Sequence, residues 1–264
     1  MLPGLEGKAA LITGGSKGIG KAIAYALARE GCSVAICARG EADLRAAAAE
    51  IADATGAQVI PIRADMTVPE DIVNLVQETV SGLGKLEILV NNAVNSTSDR
   101  ASTIPDDVIL NHITTKVMGY IRCARESVPH MIEAGGGRII NIGGMAARNS
   151  SPTNPGSGVT NSAMSNYSKA LSDDVAADGI LVNCIHPGST RTERYMGLVE
   201  ERAARSNITP EDELAQSVAD IPIGRMIEPE DVANLTAFLC SDLASAITGQ
   251  TIAVDGGGGR GVHF

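Results

Sequence analysis

The chain predicts an α/β fold: a doubly wound, seven-stranded parallel sheet with helices on both faces. Three observations carry this. Short apolar runs alternate with amphipathic helical stretches along all 264 residues. Most of those runs are near-continuous and aliphatic, as strands buried on both faces of a parallel sheet must be. The first run, Ala9-Ala10-Leu11-Ile12, feeds a glycine-rich turn, Thr13-Gly14-Gly15-Ser16-Lys17-Gly18-Ile19-Gly20, which opens a helix.

In order, strands are expected at 9–13, 33–37, 58–62, 87–91, 138–142, 180–185 and 251–254. Helices are expected at 18–30, 41–54, 69–82, 106–134, 157–178 and 229–241. Pro69 and Pro229 sit at first helical positions, each followed by acidic residues that suit the positive helix end. Seven strands with intervening helices imply right-handed crossovers. No linker, repeat or low-complexity segment divides the chain, so residues 1–264 read as one domain. Residues 189–221 carry no strand and are charged, and read as a helical insertion beside the site. Ligands of such sheets lie beyond the carboxyl ends of the strands. The loops to watch are therefore 13–20, 38–40, 64–67, 91–95, 143–149 and 187–192.

The glycine turn says what is held there. A strand leading into a glycine turn and a helix start aims backbone N–H groups and the positive helix end at a pyrophosphate. Gly14 can take the tight turn, Gly18 can admit the phosphates, and Gly20 can let helix pack on strand. Composition narrows the rest. Net charge −10 and a pI near 4.9 argue against nucleic acid, whose phosphates would be repelled. No apolar run approaches the roughly 20 residues of a membrane span, and the start lacks the pattern of a signal peptide. The five cysteines are scattered with no C-x-x-C pair, which suits a reduced, cytoplasmic-type chain and a packing role. No His/Cys cluster has metal-ligand spacing. Aromatics are 2% of the chain, so aliphatic and polar side chains must line any pocket.

The loops resemble the short-chain dehydrogenase/reductase (SDR) family over essentially the whole chain. The matching residues are Thr13-Gly14-x-x-x-Gly18-x-Gly20, Ala64-Asp65-Met66-Thr67, Asn91-Asn92-Ala93, Val182-Asn183 and Pro187-Gly188. A C-terminal block adds Pro222-Ile223-Gly224-Arg225, Glu228 to Ala233, Thr248-Gly249-Gln250 and Val254-Asp255-Gly256-Gly257. The resemblance implies a Rossmann-type NAD(P)-binding domain and a homotetramer. It also implies a cofactor set of Gly14, Ser16, Lys17, Gly18, Ile19, Gly20, Arg39, Asp65, Met66, Asn92, Ala93, Pro187, Gly188, Thr190 and Thr192. Within it Asp65 would meet the adenine, unless it serves as a helix cap. Asn91 would support the central strands, and Ala93 would line the adenine–ribose path. Pro187, Gly188 and Thr192 would flank the nicotinamide.

Charge separates the two dinucleotides. An acid after the second strand would bind a ribose 2′-hydroxyl. Ala38 and Arg39 stand there instead, and Lys17 precedes the second glycine of the turn. Two cations suit a 2′-phosphate, so NADP(H) is favoured, with NAD(H) the alternative.

The chemistry departs from the family. SDR enzymes resembling this chain use Ser, Tyr and Lys in Tyr-x-x-x-Lys order, with an upstream Asn. Tyr167-Ser168-Lys169 cannot serve, because positions two apart lie about 200° apart on a helix. Pairing Ser165 with Lys169 leaves only residues 170–178 before the next strand, too short a helix. The register that fits places Ser157 at the Tyr position and Asn161 at the Lys position. Gly144 then falls at the Ser position and Lys116 at the upstream Asn position.

What replaces the usual set is read from side-chain reach. Ser157 alone is a poor acid. Lys116 would extend into the space left by the exchange at Asn161, restoring a cation or supplying an acid; the alternative is a surface lysine. His112, one helical turn before it, is a proton donor or a packing residue. His186 reads as structural, and Tyr167 as a packing or interface residue. Asn95, Ser96 and Arg148 lie in cleft loops and are within reach of a substrate. Val94 stands where the family usually has Gly, so that loop should be altered. Three classes of function follow. The first is an NADP(H)-dependent oxidoreductase of a small carbonyl or related unsaturated molecule with an atypical proton donor. The second is an SDR-fold dehydratase, isomerase or cyclase. The third is a catalytically inactive cofactor-binding protein.

Overall fold

A computed structural model of the chain describes residues 1–95, 97–259 and 261. Seven strands form one sheet: β1 Ala9–Thr13, β2 Ser33–Ala38, β3 Val59–Arg63, β4 Ile88–Asn91, β5 Gly137–Ile142, β6 Ile180–Pro187 and β7 Thr251–Val254. Their order is β3-β2-β1-β4-β5-β6-β7 and every pairing is parallel. Strand order reverses beside β1, where Leu11 pairs with Ala35 on one side and Leu89 on the other. The cleft of an open α/β sheet opens at that reversal.

Successive side chains on a strand point to opposite faces, and here both faces are dry. Ala10 and Ile12 of β1 join Ile23, Leu27, Val232 and Leu239 on one side. Leu11 joins Leu75, Leu89, Cys123 and Val182 on the other. The first layer holds α1 Gly18–Arg29, α2 Glu41–Thr55 and α9 Pro229–Cys240. The second holds α3 Pro69–Leu83, α5 Gly119–Glu133 and α6 Pro155–Val175. Each fully buried Leu or Ile in these layers contributes roughly 1.5–3 kcal/mol. Pro69 and Pro229 open α3 and α9 as the spacing predicts, and Glu228 with Asp231 forms a capping box on α9.

Residues 189–221 fold as α7 Glu193–Ser206 and α8 Pro210–Ala219, with no named strand. The expected helix over 106–134 is interrupted. It runs as α4 Asp106–His112, a π-helical segment Ile113–Met118, and α5. The wide turn costs hydrogen-bond regularity and is often found at functional sites. All five cysteines are free and buried. Burial pushes the Cys37 thiol up to about 12 and Cys184 up to about 11, which leaves both unreactive. Among the described residues no helix is long and apolar enough to cross a membrane, and no group of three acidic, His or Cys residues could hold a metal ion.

Candidate functional site

The turn after β1 is built to receive an anion. Gly14 and Gly18 hold φ of +66° and +51°, the left-handed region that favours glycine. A Cβ at Gly20 would stand 2.2 Å from the Gly14 carbonyl oxygen, so only glycine lets α1 begin this close to the turn. The first turn of α1 has no side-chain cap and no acidic residue. Its N–H groups are thus left for a ligand, and the residues present fit a pyrophosphate. Asn92 pins the turn from β4: its side-chain nitrogen donates to the carbonyls of Thr13 at 3.0 Å and Gly14 at 3.1 Å. Thr13 Oγ1 in return accepts from the backbone nitrogens of Asn92 and Ala93. Asn92 therefore supports the cradle through the protein itself, a role its place in the motif did not reveal.

The ribose corner is less simple than two free cations. Lys17 Nζ lies 3.0 Å from Asp43 and 3.5 Å from Glu193, all three well exposed. Asp43 raises the Lys17 pKa, first by hydrogen bond and then by charge. Arg39 is exposed on the loop after β2. Asp65 Oδ1 accepts from the backbone nitrogen of Thr67 at 2.9 Å and its hydroxyl at 2.8 Å. Burial pushes the Asp65 carboxyl up, but those bonds, with Arg39 and Arg63, hold it below the usual carboxylate range. It is a turn-forming residue here, and α3 begins later, after Val68. The Met66 side chain is buried in the core, so only its backbone faces the loop region.

Lys116 is no surface residue. It is 3% exposed, enters from the π-helical segment, and meets α6 and the end of β5. Its Nζ donates to Asn161 Oδ1 at 2.5 Å and to the Gly143 carbonyl at 3.1 Å. Two of its three donors are thereby accounted for, and the Tyr120 ring lies 5.8 Å away. Burial, with Arg194 adding a smaller effect, lowers its pKa to about 8. Because lysine only donates, Asn161 must turn its oxygen to Nζ and its nitrogen the other way. That nitrogen would come 2.7 Å from a Cβ at Gly144. Lysine at 116, asparagine at 161 and glycine at 144 are therefore one packing solution.

His186 holds the other side of this loop. The backbone nitrogen of Gly144 donates to its Nδ1 at 2.9 Å, so the ring proton resides on Nε2, 2.9 Å from Ser165 Oγ. Ser165 Oγ donates onward to the Asn161 carbonyl. Burial, then Arg148 and Lys116, lowers the His186 pKa to about 4. A depressed folded-state value means the unfolded chain binds the proton first. Stability should therefore fall as pH drops from about 6.5 toward about 4, by up to about 3 kcal/mol from this residue. His186→Phe should flatten that part of a melting-temperature profile while lowering the plateau; an unchanged slope would remove the assignment.

A cavity of about 230 Å³ joins these groups. It is lined by Lys116, Gly144, Ser157, Asn161, Thr190 and Thr192, with Ile19, Asn92, Pro187 and Gly188 at the turn side. The structure thus brings together three of the four residues singled out for chemistry. His112 is the exception: its Nε2 accepts from the Thr97 nitrogen at 3.3 Å, and its ring packs on Gly156. Although it stands four residues before Lys116, it turns to Thr97 and Gly156 and does not line the cavity. Burial first, with Arg194 and Lys116 opposing Asp99, lowers its pKa. Arg148 donates to the Thr251 carbonyl at 2.8 Å and ties its loop to β7 rather than facing a substrate. Thr192 caps α7 by accepting from the Tyr195 nitrogen. Tyr167 packs on the second core layer. Val94 lines the cavity without a positive φ, and Ser96 lies outside the described residues. Asn91 donates to Asn141, and Asn141 to Ser168, a buried polar chain between β4, β5 and α6. Thr160, Arg194, Tyr195 and Leu198 also line the cavity and carry no motif that would single them out.

Comparison with known proteins agrees with this architecture. A family profile described as enoyl-(acyl carrier protein) reductase matches residues 14–258. The 3-oxoacyl-(acyl-carrier-protein) reductase FabG of Staphylococcus epidermidis is 32% identical over 250 residues, spanning 95% of this chain and 98% of the relative. The crystal structure of L-sorbose reductase from Gluconobacter frateurii, complexed with NADPH and L-sorbose, superposes with a TM-score of 0.95. It is 33% identical and covers 99% of this chain and 100% of its own. A 7α-hydroxysteroid dehydrogenase complexed with NADH and its 7-oxo ligand gives 0.87 at 32% identity, over 98% and 97% of the two chains. With its parallel sheet, glycine cradle and near-complete overlap, this chain belongs to the short-chain dehydrogenase/reductase family.

Proposed function

We propose that the protein is an NADP(H)-dependent oxidoreductase acting on the carbonyl of a small molecule, with Lys116 in place of the family's usual proton donor. The observation that carries this is the buried Lys116 ammonium, 2.5 Å from Asn161 Oδ1, in the cavity beside the glycine cradle. Gly144, Ser157 and Asn161 would then stand at the positions of the usual Ser, Tyr and Lys. The bound nicotinamide would supply or accept the hydride. Lys116 would hold the carbonyl oxygen with its remaining N–H, stabilise the charge that develops there, and give up a proton as the alcohol forms. The neutral amine left behind recovers a proton from solvent. Asn161 and the Gly143 carbonyl keep the lysine aimed, and Ser157 supplies a second hydroxyl on the same wall.

The direction of the pH dependence follows from the lowered pKa. Reduction needs the ammonium and should decline as pH rises through about 8; oxidation needs the amine and should grow over the same range. Nicotinamide absorbance, followed across ketones, aldehydes, imines and enones, tests the reading. Tight NADPH binding with no turnover on any of them would leave a cofactor-binding protein instead.

For the cofactor, Lys17 and Arg39 support a 2′-phosphate, and Ala38 leaves no acid at the end of β2 to receive a 2′-hydroxyl. The ion pairs of Lys17 to Asp43 and Glu193 are exposed and worth little, so a phosphate can displace them. Arg39→Ala should weaken NADPH binding about tenfold and leave NADH within about twofold. Titration calorimetry with both dinucleotides decides it, and tighter NADH binding by the unaltered protein would reverse the preference.

A further inference from the structure

We propose that Lys116 is a covalent site for short aliphatic aldehydes, which its amine holds as an imine inside the cavity beside the glycine cradle. This reactivity goes beyond hydride transfer and needs no dinucleotide.

The chain has six lysines, and five of them face a carboxylate. Lys8 and Lys85 share Glu87, Lys17 meets Asp43, Lys21 meets Glu50, and Lys169 meets Asp173. Each of those carboxylates favours the ammonium form, which has no lone pair to give. Lys116 has no such partner among the described residues. Its two acceptors, Asn161 Oδ1 at 2.5 Å and the Gly143 carbonyl at 3.1 Å, are both uncharged. Two acceptors match the two N–H groups of a neutral amine, whereas an ammonium has a third proton to place. With both N–H groups directed, the lone pair takes the remaining tetrahedral position. Lys116 lines the cavity, so a carbonyl carbon bound there is within its reach. Burial lowers its pKa from 10.5 to about 8, so about one in ten is neutral at pH 7 instead of about one in three thousand. The Tyr120 ring at 5.8 Å favours the ammonium, but only from the edge of the range of a cation–π contact.

The chemistry needs no oxidant or reductant. The lone pair attacks the aldehyde carbon, and the carbonyl electron pair moves to oxygen, which takes up one N–H proton. The carbinolamine then expels its oxygen as water: the second N–H proton goes to the hydroxyl, and the nitrogen pair closes the C=N bond. Ser157 offers a hydroxyl on the same wall to carry those protons. The Thr160 hydroxyl is already committed to the Gly156 carbonyl at 2.9 Å. Once protonated, the imine keeps one N–H for Asn161 Oδ1. The apolar part of the lining, Ile142, Pro187 and Leu198, suits an alkyl chain. At about 230 Å³ the cavity lies below the usual range for drug-sized ligands, so that chain must be short.

Propanal with sodium cyanoborohydride, which reduces imines to stable secondary amines, tests this on the whole protein at pH 7 without dinucleotide. Peptide mass mapping reads each lysine separately, and the other five serve as controls in the same tube. Lys116 should be alkylated at least about tenfold faster than any of them, a small part of its gain in neutral amine. In urea, where the cavity is gone, all six should react at similar rates. Asn161→Asp gives Lys116 a carboxylate like the others and should remove its lead, with circular dichroism checking the fold. If that variant unfolds, the ranking in the unaltered protein decides alone. Naphthaldehyde, too large for the cavity, should alkylate the five and spare Lys116. Lys116 left unmodified, or no faster than Lys8 and Lys85, would overturn the proposal, and so would a lead that survives in urea or in folded Asn161→Asp. Equal labelling of Lys116 by naphthaldehyde would end the assignment to short aldehydes.

Discussion

Exchanging Lys116 for methionine is expected to lower turnover about 10²–10⁴-fold, the usual weight of a positioned proton donor. Methionine matches the length of the stem but offers no donor, so the substrate oxygen would lose both its hydrogen bond and its proton. Folding should survive. A lysine whose pKa is lowered from 10.5 to about 8 is a charge the fold holds at a cost, and methionine removes that charge. The exchange does leave Asn161 Oδ1 and the Gly143 carbonyl without this donor, which partly offsets the gain. Linkage supplies a second, independent readout. Between about pH 8 and 10.5 the unfolded chain binds a proton that folded Lys116 does not, so the stability of the unaltered protein should rise with pH there. The methionine variant should lack that rise. Unchanged turnover would end the catalytic proposal, even if the stability profile changed as expected.

Gly20→Ala should reduce dinucleotide affinity by about a hundredfold or more and destabilise the fold by about 1–3 kcal/mol, the scale of an overpacked site. The added carbon would meet the Gly14 carbonyl oxygen at 2.2 Å and Asn92 Nδ2 at 2.5 Å. Neither is a flexible side-chain end. The first is backbone, and the second is fixed by its own bonds to Thr13 and Gly14. The turn must therefore open, and with it the cluster of N–H groups at the start of α1. Gly197→Ala provides the contrast, since a Cβ there meets nothing within 4 Å. It lies within α7 and should be neutral or stabilising by up to about 1 kcal/mol. Equal NADPH affinity for Gly20→Ala and the unaltered protein would show that the close approach does not shape the cradle.

Much of this was legible in the sequence because it rests on short-range rules. Continuous aliphatic runs placed the strands to within two residues at either end, and β1 and β7 have the bounds the pattern gives. Helix starts at Pro69 and Pro229 follow from the lost N–H of proline. Register along α6 brought Ser157 and Asn161 to one wall, and side-chain length brought Lys116 to meet them. What escaped depends on pairings distant in sequence. Nothing near His186 announces that it holds the Gly144 nitrogen, 42 residues away. Asn92 gave no sign that it braces the turn 78 and 79 residues before it. Arg194 reads as one more charge on a polar helix until the cleft is assembled around it.

The π-helical segment at Ile113–Met118 has a consequence for how such a site can be edited. A wide turn holds one residue more than a regular one, so it absorbs that residue between α4 and α5. Removing one residue from it would restore ordinary winding and leave the two flanking helices in about their present phase, so the change would fall on the residues inside the segment. The Met118 side of the helix is anchored by Gly119, Tyr120 and Cys123 in the core. The aim of Lys116 into this cleft is thus set by a count of residues as much as by their identity. Deleting Ile113 or Thr114 would re-aim Lys116 without altering any residue now lining the cavity.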